Sequence, residues 1–108
     1  GDYNTAVGAY AMWDNTIGGY NTSTGYSSLF FNIEGNGNTA NGVVALQQNT
    51  TGNENTAMGA SASRQNSTGS NNVAIGAGAN KNNEEGSDNT IIGHDAGAGA
   101  ALHNKSGN

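Results

Sequence analysis

Two histidines are the residues of this chain best suited to acid–base or metal chemistry. His94 is followed directly by Asp95, and His103 lies nearby in the sequence. A zinc or hydrolytic site needs a further ligand or a nucleophile at a recognisable spacing, and none accompanies this pair. The chain has no Cys, which excludes thiolate ligands and thiol nucleophiles. The sequence therefore predicts no catalytic residue, no metal ligand, no cofactor and no enzymatic activity.

Two other patterns match binding motifs only in part. Gly76 and Gly78 form half of a dinucleotide-binding fingerprint, but the third glycine and the strand-to-helix context are missing. The acidic run 84–88 offers oxygen ligands for Ca²⁺ without the spacing of an EF-hand loop. We interpret the glycines as turn residues and the acidic run as part of a solvated rim.

Charge and composition exclude two classes of partner. Eight acidic residues against three basic ones give a net charge of −5, which would repel a phosphate backbone and argues against nucleic-acid binding. No apolar run approaches the roughly 20 residues of a membrane span. Gly, Asn, Ala, Ser and Thr together supply 71 of the 108 residues, a composition that predicts disorder unless the sequence is periodic.

The sequence is periodic, with a unit of 17 residues. Each unit starts with an asparagine, taken here as position 1: Asn4, Asn21, Asn38, Asn55, Asn72 and Asn89. Every unit carries glycine at position 5: Gly8, Gly25, Gly42, Gly59, Gly76 and Gly93. Five units also carry Asn at position 12 and Gly at position 15. Self-similarity at a short fixed period indicates a repeat architecture.

A unit this short, with two glycines and a Thr-x-Val/Ile-Gly run, predicts one coil of an all-β parallel β-solenoid. We expect a single domain over 1–108, with six coils starting at the position-1 asparagines, a partial coil at 1–3 and an irregular end at 100–108. Coils stacked about 4.8 Å apart would give a segment about 29 Å tall that belongs to a longer fibre. Asn at positions 1 and 12 should form ladders, and Gly at positions 5 and 15 should turn corners at positive φ.

Strand alternation predicts which residues face inward. Positions 3, 5 and 8 are nearly all Ala, Ser or Gly, which would fill a thin interior. The larger apolar residues occupy positions 4 and 9 and are expected to form an outward stripe: Val7, Met58, Ile75, Ile92, Met12, Leu29 and Leu46. Burying such a stripe against identical chains around a threefold axis would remove the exposed surface, so the pattern favours a homotrimer.

The repeat resembles a known family. The segments 55–59 (Asn-Thr-Ala-Met-Gly) and 72–79 (Asn-Val-Ala-Ile-Gly-Ala-Gly-Ala) resemble the units of trimeric autotransporter adhesin heads, the YadA-like left-handed parallel β-roll. The unit 38–52 is also similar to repeats of bacterial surface proteins and of phage tail-fibre proteins. The resemblance implies a homotrimeric, extracellular segment on a bacterial surface or a virion fibre, flanked by further fibre segments and concerned with attachment.

Aromatic residues are confined to the first 31 positions of the chain. Tyr3 and Tyr20 share position 17, and Trp13 and Phe30 share position 10, so each pair is expected to stack one coil apart. Such rings can seal one end of the rod, or they can form a platform for a host glycan or protein receptor. The candidate receptor contacts are Tyr10, Trp13, Tyr20 and Phe30.

A different function is suggested by position 2. Threonine fills this position in five of the six units: Thr5, Thr22, Thr39, Thr56 and Thr90. Strand alternation points these side chains outward, in a regular column that an ice-binding solenoid could use. The column is single and is interrupted by Val73, so the sequence favours the structural and adhesive function over ice binding.

Overall fold

Six short parallel strands, one from each coil, form the spine of the fold. The structure is a computed structural model that describes residues 1–99 and 106–107, so most of the predicted irregular end, 100–105 and 108, lies outside the described residues. The strands are β1 (Thr5–Val7), β2 (Thr22–Thr24), β3 (Thr39–Asn41), β4 (Thr56–Met58), β5 (Val73–Ile75) and β6 (Thr90–Ile92). The described residues contain no helix, which confirms the predicted all-β solenoid.

The strands pair in chain order in one six-stranded sheet. Each residue faces the one 17 positions later, as in Thr39↔Thr56 and Thr56↔Val73. The backbone outside the strands is bonded in the same way, since the amide of Met12 donates to the carbonyl of Ser28 at 3.0 Å. These contacts build a rod with extents of 34 × 20 × 15 Å.

The strands end where the position-5 glycines turn the chain. These glycines have φ between 126° and 143°, a conformation that L side chains rarely adopt. A Cβ on Gly59 would lie 2.6 Å from the carbonyl carbon of Gly76 in the next coil. Both the backbone angle and the close contact between coils therefore require glycine, which confirms the predicted corner at position 5.

The position-15 glycines have a different role from the predicted one. They do not adopt positive φ. A Cβ on Gly52 would collide with the carbonyl oxygen of Gly69 and with the side chain of Asn49. Position 15 is therefore glycine because neighbouring coils approach too closely there for a side chain, and the prediction of a second positive-φ corner was wrong.

The predicted asparagine ladders are present, with two different geometries. At position 12 the amides bond directly, as in Asn49 Nδ2 to Asn32 Oδ1 at 2.7 Å. At position 1 the side chain of Asn38 joins backbone groups instead. Its Oδ1 accepts from the amide of Asn55 at 2.9 Å, and its Nδ2 donates to the carbonyl of Gly52 at 2.8 Å. The buried asparagines thus satisfy backbone groups that a thin coil could not otherwise pair.

The interior holds the predicted small residues and one column that was predicted to face outward. The buried alanines occupy positions 3 and 8, at Ala40, Ala45, Ala57, Ala62, Ala74 and Ala79. Position 9 is also buried, with Leu29 and Leu46 fully inaccessible and Met12 only 8% exposed. The prediction of an outward position 9 was wrong because strand alternation stops at the position-5 corner. The position-9 residues are in the left-handed region, with φ near 50°, which turns their side chains inward.

The position-9 column changes character along the rod. After Leu46 the next occupants are Ser63 and Asn80, which are also buried. Ser63 Oγ, Asn80 Oδ1 and Asn80 Nδ2 have no hydrogen-bond partner in the described part of the chain. The column then reaches Gly97, which has no side chain. The position-9 column is therefore apolar in the first three coils, and in the last three it holds two polar residues and a glycine. The interior of the last three coils still contains the buried apolar residues Ala57, Ala62, Ala74, Ala79 and Ile91.

Candidate functional site

Five of the seven aromatic residues form one connected cluster on the first two coils: Tyr10, Trp13, Tyr26, Phe30 and Phe31. Tyr10 lies at its centre, with ring centroids 5.3 Å from Trp13 and 5.7 Å from Tyr26, both in edge-to-face geometry. Phe30 lies 6.4 Å from Tyr10 and 4.6 Å from Phe31. Phe30 is half-buried beneath the others, whereas Trp13 is 65% exposed. The cluster is thus anchored at Phe30 and presents its other rings to solvent.

Two aromatic stacks were predicted, and one of them forms. Tyr3 and Tyr20 stack with centroids 5.0 Å apart and planes 22° from parallel. Trp13 and Phe30 do not stack on each other, because the ring of Tyr10 contacts both. Of the four candidate receptor residues, the structure therefore joins Tyr10, Trp13 and Phe30 in one cluster. Tyr20 belongs to a separate exposed pair with Tyr3.

Position 4 forms an exposed column beside the sheet. Its apolar members are Val7, Met58, Ile75 and Ile92, all of them exposed in the single chain. Thr24 and Asn41 interrupt the column in the second and third coils. The apolar part of the predicted outward stripe is thus continuous only across β4, β5 and β6.

His94 and Asp95 lie in a groove on the last three coils. The groove has a volume of about 360 Å³. It is lined by Ala60, Ser61, Arg64, Gln65, Ala77, Gly78, Lys81, Asn82, His94 and Asp95. Lys81 Nζ lies 2.9 Å from Asp95 Oδ1, while His94 Nδ1 is 3.6 Å from Asp95 Oδ2. This groove was not predicted from the sequence, in which its one signal is that Arg64 and Lys81 share position 10 of consecutive units.

The electrostatics of this groove are set by the ion pair. The hydrogen bond from Lys81, together with its positive charge, lowers the pKa of Asp95 below its ordinary value. Both side chains are well exposed, so solvent screens the pair. Gly78 allows the contact, because a Cβ there would collide with the Asp95 carboxylate. Asp95 is therefore a charged partner of Lys81 in this groove.

Other candidate chemistry finds little support in the described residues. Across 1–99 and 106–107, no group of three His, Asp or Glu side chains is placed to hold a metal ion. His103 lies outside the described residues. The same part of the chain has no helix with the length and apolarity needed to cross a membrane. The position-1 asparagines and position-5 glycines are accounted for by coil stacking.

Comparisons with protein-family models, with curated proteins and with solved structures found no match to this chain.

Proposed function

We propose that this chain is a non-enzymatic fibrous segment of an extracellular adhesin or tail fibre that mediates attachment to a host surface. The observation that carries the proposal is the unbroken 17-residue register of β1 to β6. Each coil pairs with the next through the same backbone donors and acceptors, so flanking segments can extend the stack into a longer fibre. An elongated rod suits a molecule that must hold its contacts away from the surface that carries it.

The proposed segment is a homotrimer. Met58, Ile75 and Ile92 form an exposed apolar column on three consecutive coils. An exposed apolar column on an open parallel sheet promotes association between chains. Packing around a threefold axis would bury the column and limit the assembly to three chains. Light scattering coupled to size-exclusion chromatography tests this directly. A mass of three chains is expected, reduced to one chain by Ile75→Asp. A stable monomer of the unmodified chain would contradict the trimer.

The proposed receptor contact is the exposed part of the aromatic cluster together with Tyr20. Trp and Tyr contribute large contact area at low entropic cost, and three copies in a trimer would add avidity. Trp13 and Tyr20 are both exposed, so their removal should leave the coil interior intact.

The double variant Trp13→Ala/Tyr20→Ala tests this contact. It should abolish binding on an array of neutral glycans while the melting temperature barely changes. Ile33→Ala is the control, since it removes an exposed apolar side chain outside the cluster. A melting temperature of the double variant far below that of the unmodified chain would show that the two rings stabilise the fold by packing.

Ice binding is a second candidate, favoured by one observation. Thr5, Thr22 and Thr39 are exposed and lie in direct register on adjacent strands. The neighbouring outward column, position 4, contributes only one further threonine, Thr24, so no flat two-column array is formed. An ice-recrystallisation assay separates the two functions, because inhibition that is lost in Thr22→Leu would favour ice binding over adhesion.

A further inference from the structure

We propose that the groove between Arg64 and Lys81 binds the carboxylate of an acidic saccharide. The inference rests on the proposed adhesive function and names the chemical class of the ligand. It also adds a second contact site, since this groove lies on the last three coils and the aromatic cluster lies on the first two.

The first argument is the distribution of positive charge. The chain carries a net charge of −5 and only three Lys and Arg residues. Arg64 and Lys81 both line this groove, and Lys105 lies outside the described residues. Of the eight acidic residues, Asp95 is the one that lines the groove. An acidic chain thus gathers its described Lys and Arg side chains at one place.

The second argument is the geometry of the two cations. Both occupy position 10, so their backbones are one coil apart, a distance at which like charges repel. Arg64 turns toward the preceding coil, where its Nε donates to Gln47 Oε1 at 3.2 Å. Lys81 turns toward the following coil and bonds Asp95 at 2.9 Å. The two side chains are therefore splayed, and an anion between them would relieve their mutual repulsion.

The third argument is the chemistry of the lining. Besides the two cations, the groove presents the hydroxyl of Ser61, the amide of Gln65 and the imidazole of His94. Hydroxyl and amide donors beside cations suit an anion that is carried on a polyhydroxylated body. A volume of about 360 Å³ is at the lower end of ligand pockets, which fits one sugar unit. The planar fork of arginine can bind a carboxylate in two-point geometry, such as the carboxylate of a uronic-acid type of sugar.

The position-10 column itself supplies the matched variant. Gln47 holds this position in the coil before Arg64, so Arg64→Gln is compatible with the stack. Thr51→Glu is the charge control. It changes the net charge by the same amount at an exposed position, and the equivalent residue of the preceding coil is Glu34. Arg64→Lys keeps the charge and removes the planar fork.

Binding of a short oligogalacturonate to the full chain, measured by isothermal titration calorimetry, tests the proposal. Arg64→Gln should weaken binding on the order of tenfold, as expected for a hydrogen-bonded charge, and Arg64→Lys by less. Thr51→Glu should leave the affinity unchanged. The methyl-esterified oligomer, which keeps the sugar and lacks the charge, should not bind.

Three results would overturn the proposal. One is equal binding of the methyl-esterified oligomer, and another is equal affinity of Arg64→Gln and the unmodified chain. The third is equal or tighter binding of a sulfated oligosaccharide, which would make the groove a general anion site.

If Arg64→Gln has no effect while Trp13→Ala/Tyr20→Ala abolishes glycan binding, the adhesive function stands and the carboxylate site does not. If Arg64→Gln weakens uronate binding and the aromatic variant has no effect, the groove stands and the aromatic contact does not.

Discussion

The first three coils and the last three have the same strand length and register, but they differ in the side chains at positions 9 and 10. In the first half, position 9 holds Met12, Leu29 and Leu46, and position 10 begins with two aromatic residues. In the second half, position 9 holds Ser63, Asn80 and Gly97, and position 10 carries Arg64 and Lys81. The strands nevertheless keep the same length and register in both halves.

This difference indicates that the asparagine ladders and the glycine contacts determine the coil, while the core column adjusts its stability. One bond of the position-1 ladder is kept in both halves, since the backbone amides of Asn38 and Asn72 both donate to an asparagine Oδ1 17 residues earlier, at 2.8 and 3.0 Å. At position 9, burial of large apolar groups is instead confined to the first half, while the last coil buries Ile91 at position 3. The first half should therefore be the more stable part of the rod, and the second half should open first.

The largest effect is expected at Gly59, the corner in the middle of the rod. Gly59→Val would place a β-branched residue at φ of 132° with its Cβ 2.6 Å from the carbonyl carbon of Gly76. Both coils would have to separate, and because each coil is stabilised by its neighbours, the fold should be lost over several coils. Circular dichroism should show loss of the β spectrum. A melting temperature equal to that of the unmodified chain would contradict the stacked-coil architecture.

The next largest effect contrasts the two halves of the core column. Leu46→Ala removes a fully buried side chain and should lower the free energy of unfolding by about 2–5 kcal/mol. Ser63→Ala, in the next coil, removes a buried hydroxyl that has no partner and should change stability by less than about 1 kcal/mol, in the stabilising direction. Urea unfolding of both variants checks the contrast. Equal destabilisation by the two would show that the halves contribute alike.

The fold was predictable because its signals repeat. The position-1 asparagine and the position-5 glycine recur at one spacing, and each has a physical role that only that residue type fills well. The role of position 15 was not predictable, because close approach and positive φ both require glycine and the sequence does not distinguish them.

The burial of position 9 was missed for a different reason. Fifteen described residues other than glycine have positive φ, at positions 7, 9 and 17 of the coil. Their types are as different as Tyr10, Leu46 and Asn80, so no residue preference indicates the left-handed conformation. A pattern of alternation cannot be carried through such turns. The shared position 10 places Arg64 and Lys81 on adjacent coils, but the groove that they line depends on the same turns and could not be located from the sequence.

A gain in stability is expected when a polar residue at position 9 of the second half is replaced by leucine, the residue that two of the first three coils carry at this position. Asn80→Leu removes two buried amide atoms that lack partners in the described part of the chain. The next residue of the column, Gly97, has no side chain that would collide with the larger leucine. We expect an increase of about 1–2 kcal/mol in the free energy of unfolding.

Asn80→Ala is the control for this gain, since it removes the amide without filling the space. It should be less stable than Asn80→Leu in the same urea titration. If Asn80→Leu is less stable than the unmodified chain, the Asn80 side chain forms hydrogen bonds that stabilise the folded protein, and the proposed cost of burying it is wrong.

The smallest effect concerns the surface charge that distinguishes the second half. Lys81 lowers the pKa of Asp95, so the pair stabilises the folded chain above the ordinary value of 3.8 and loses that contribution as the pH falls through the lower folded value. The effect should be small, because both groups are exposed. Asp95→Asn removes this titration and leaves the other carboxylates in place. The variant should be slightly less stable than the unmodified chain at about pH 6, and the difference should shrink as the pH falls below the ordinary value of 3.8. A constant difference across that range would show that Asp95 contributes through packing over Gly78 and not through its charge.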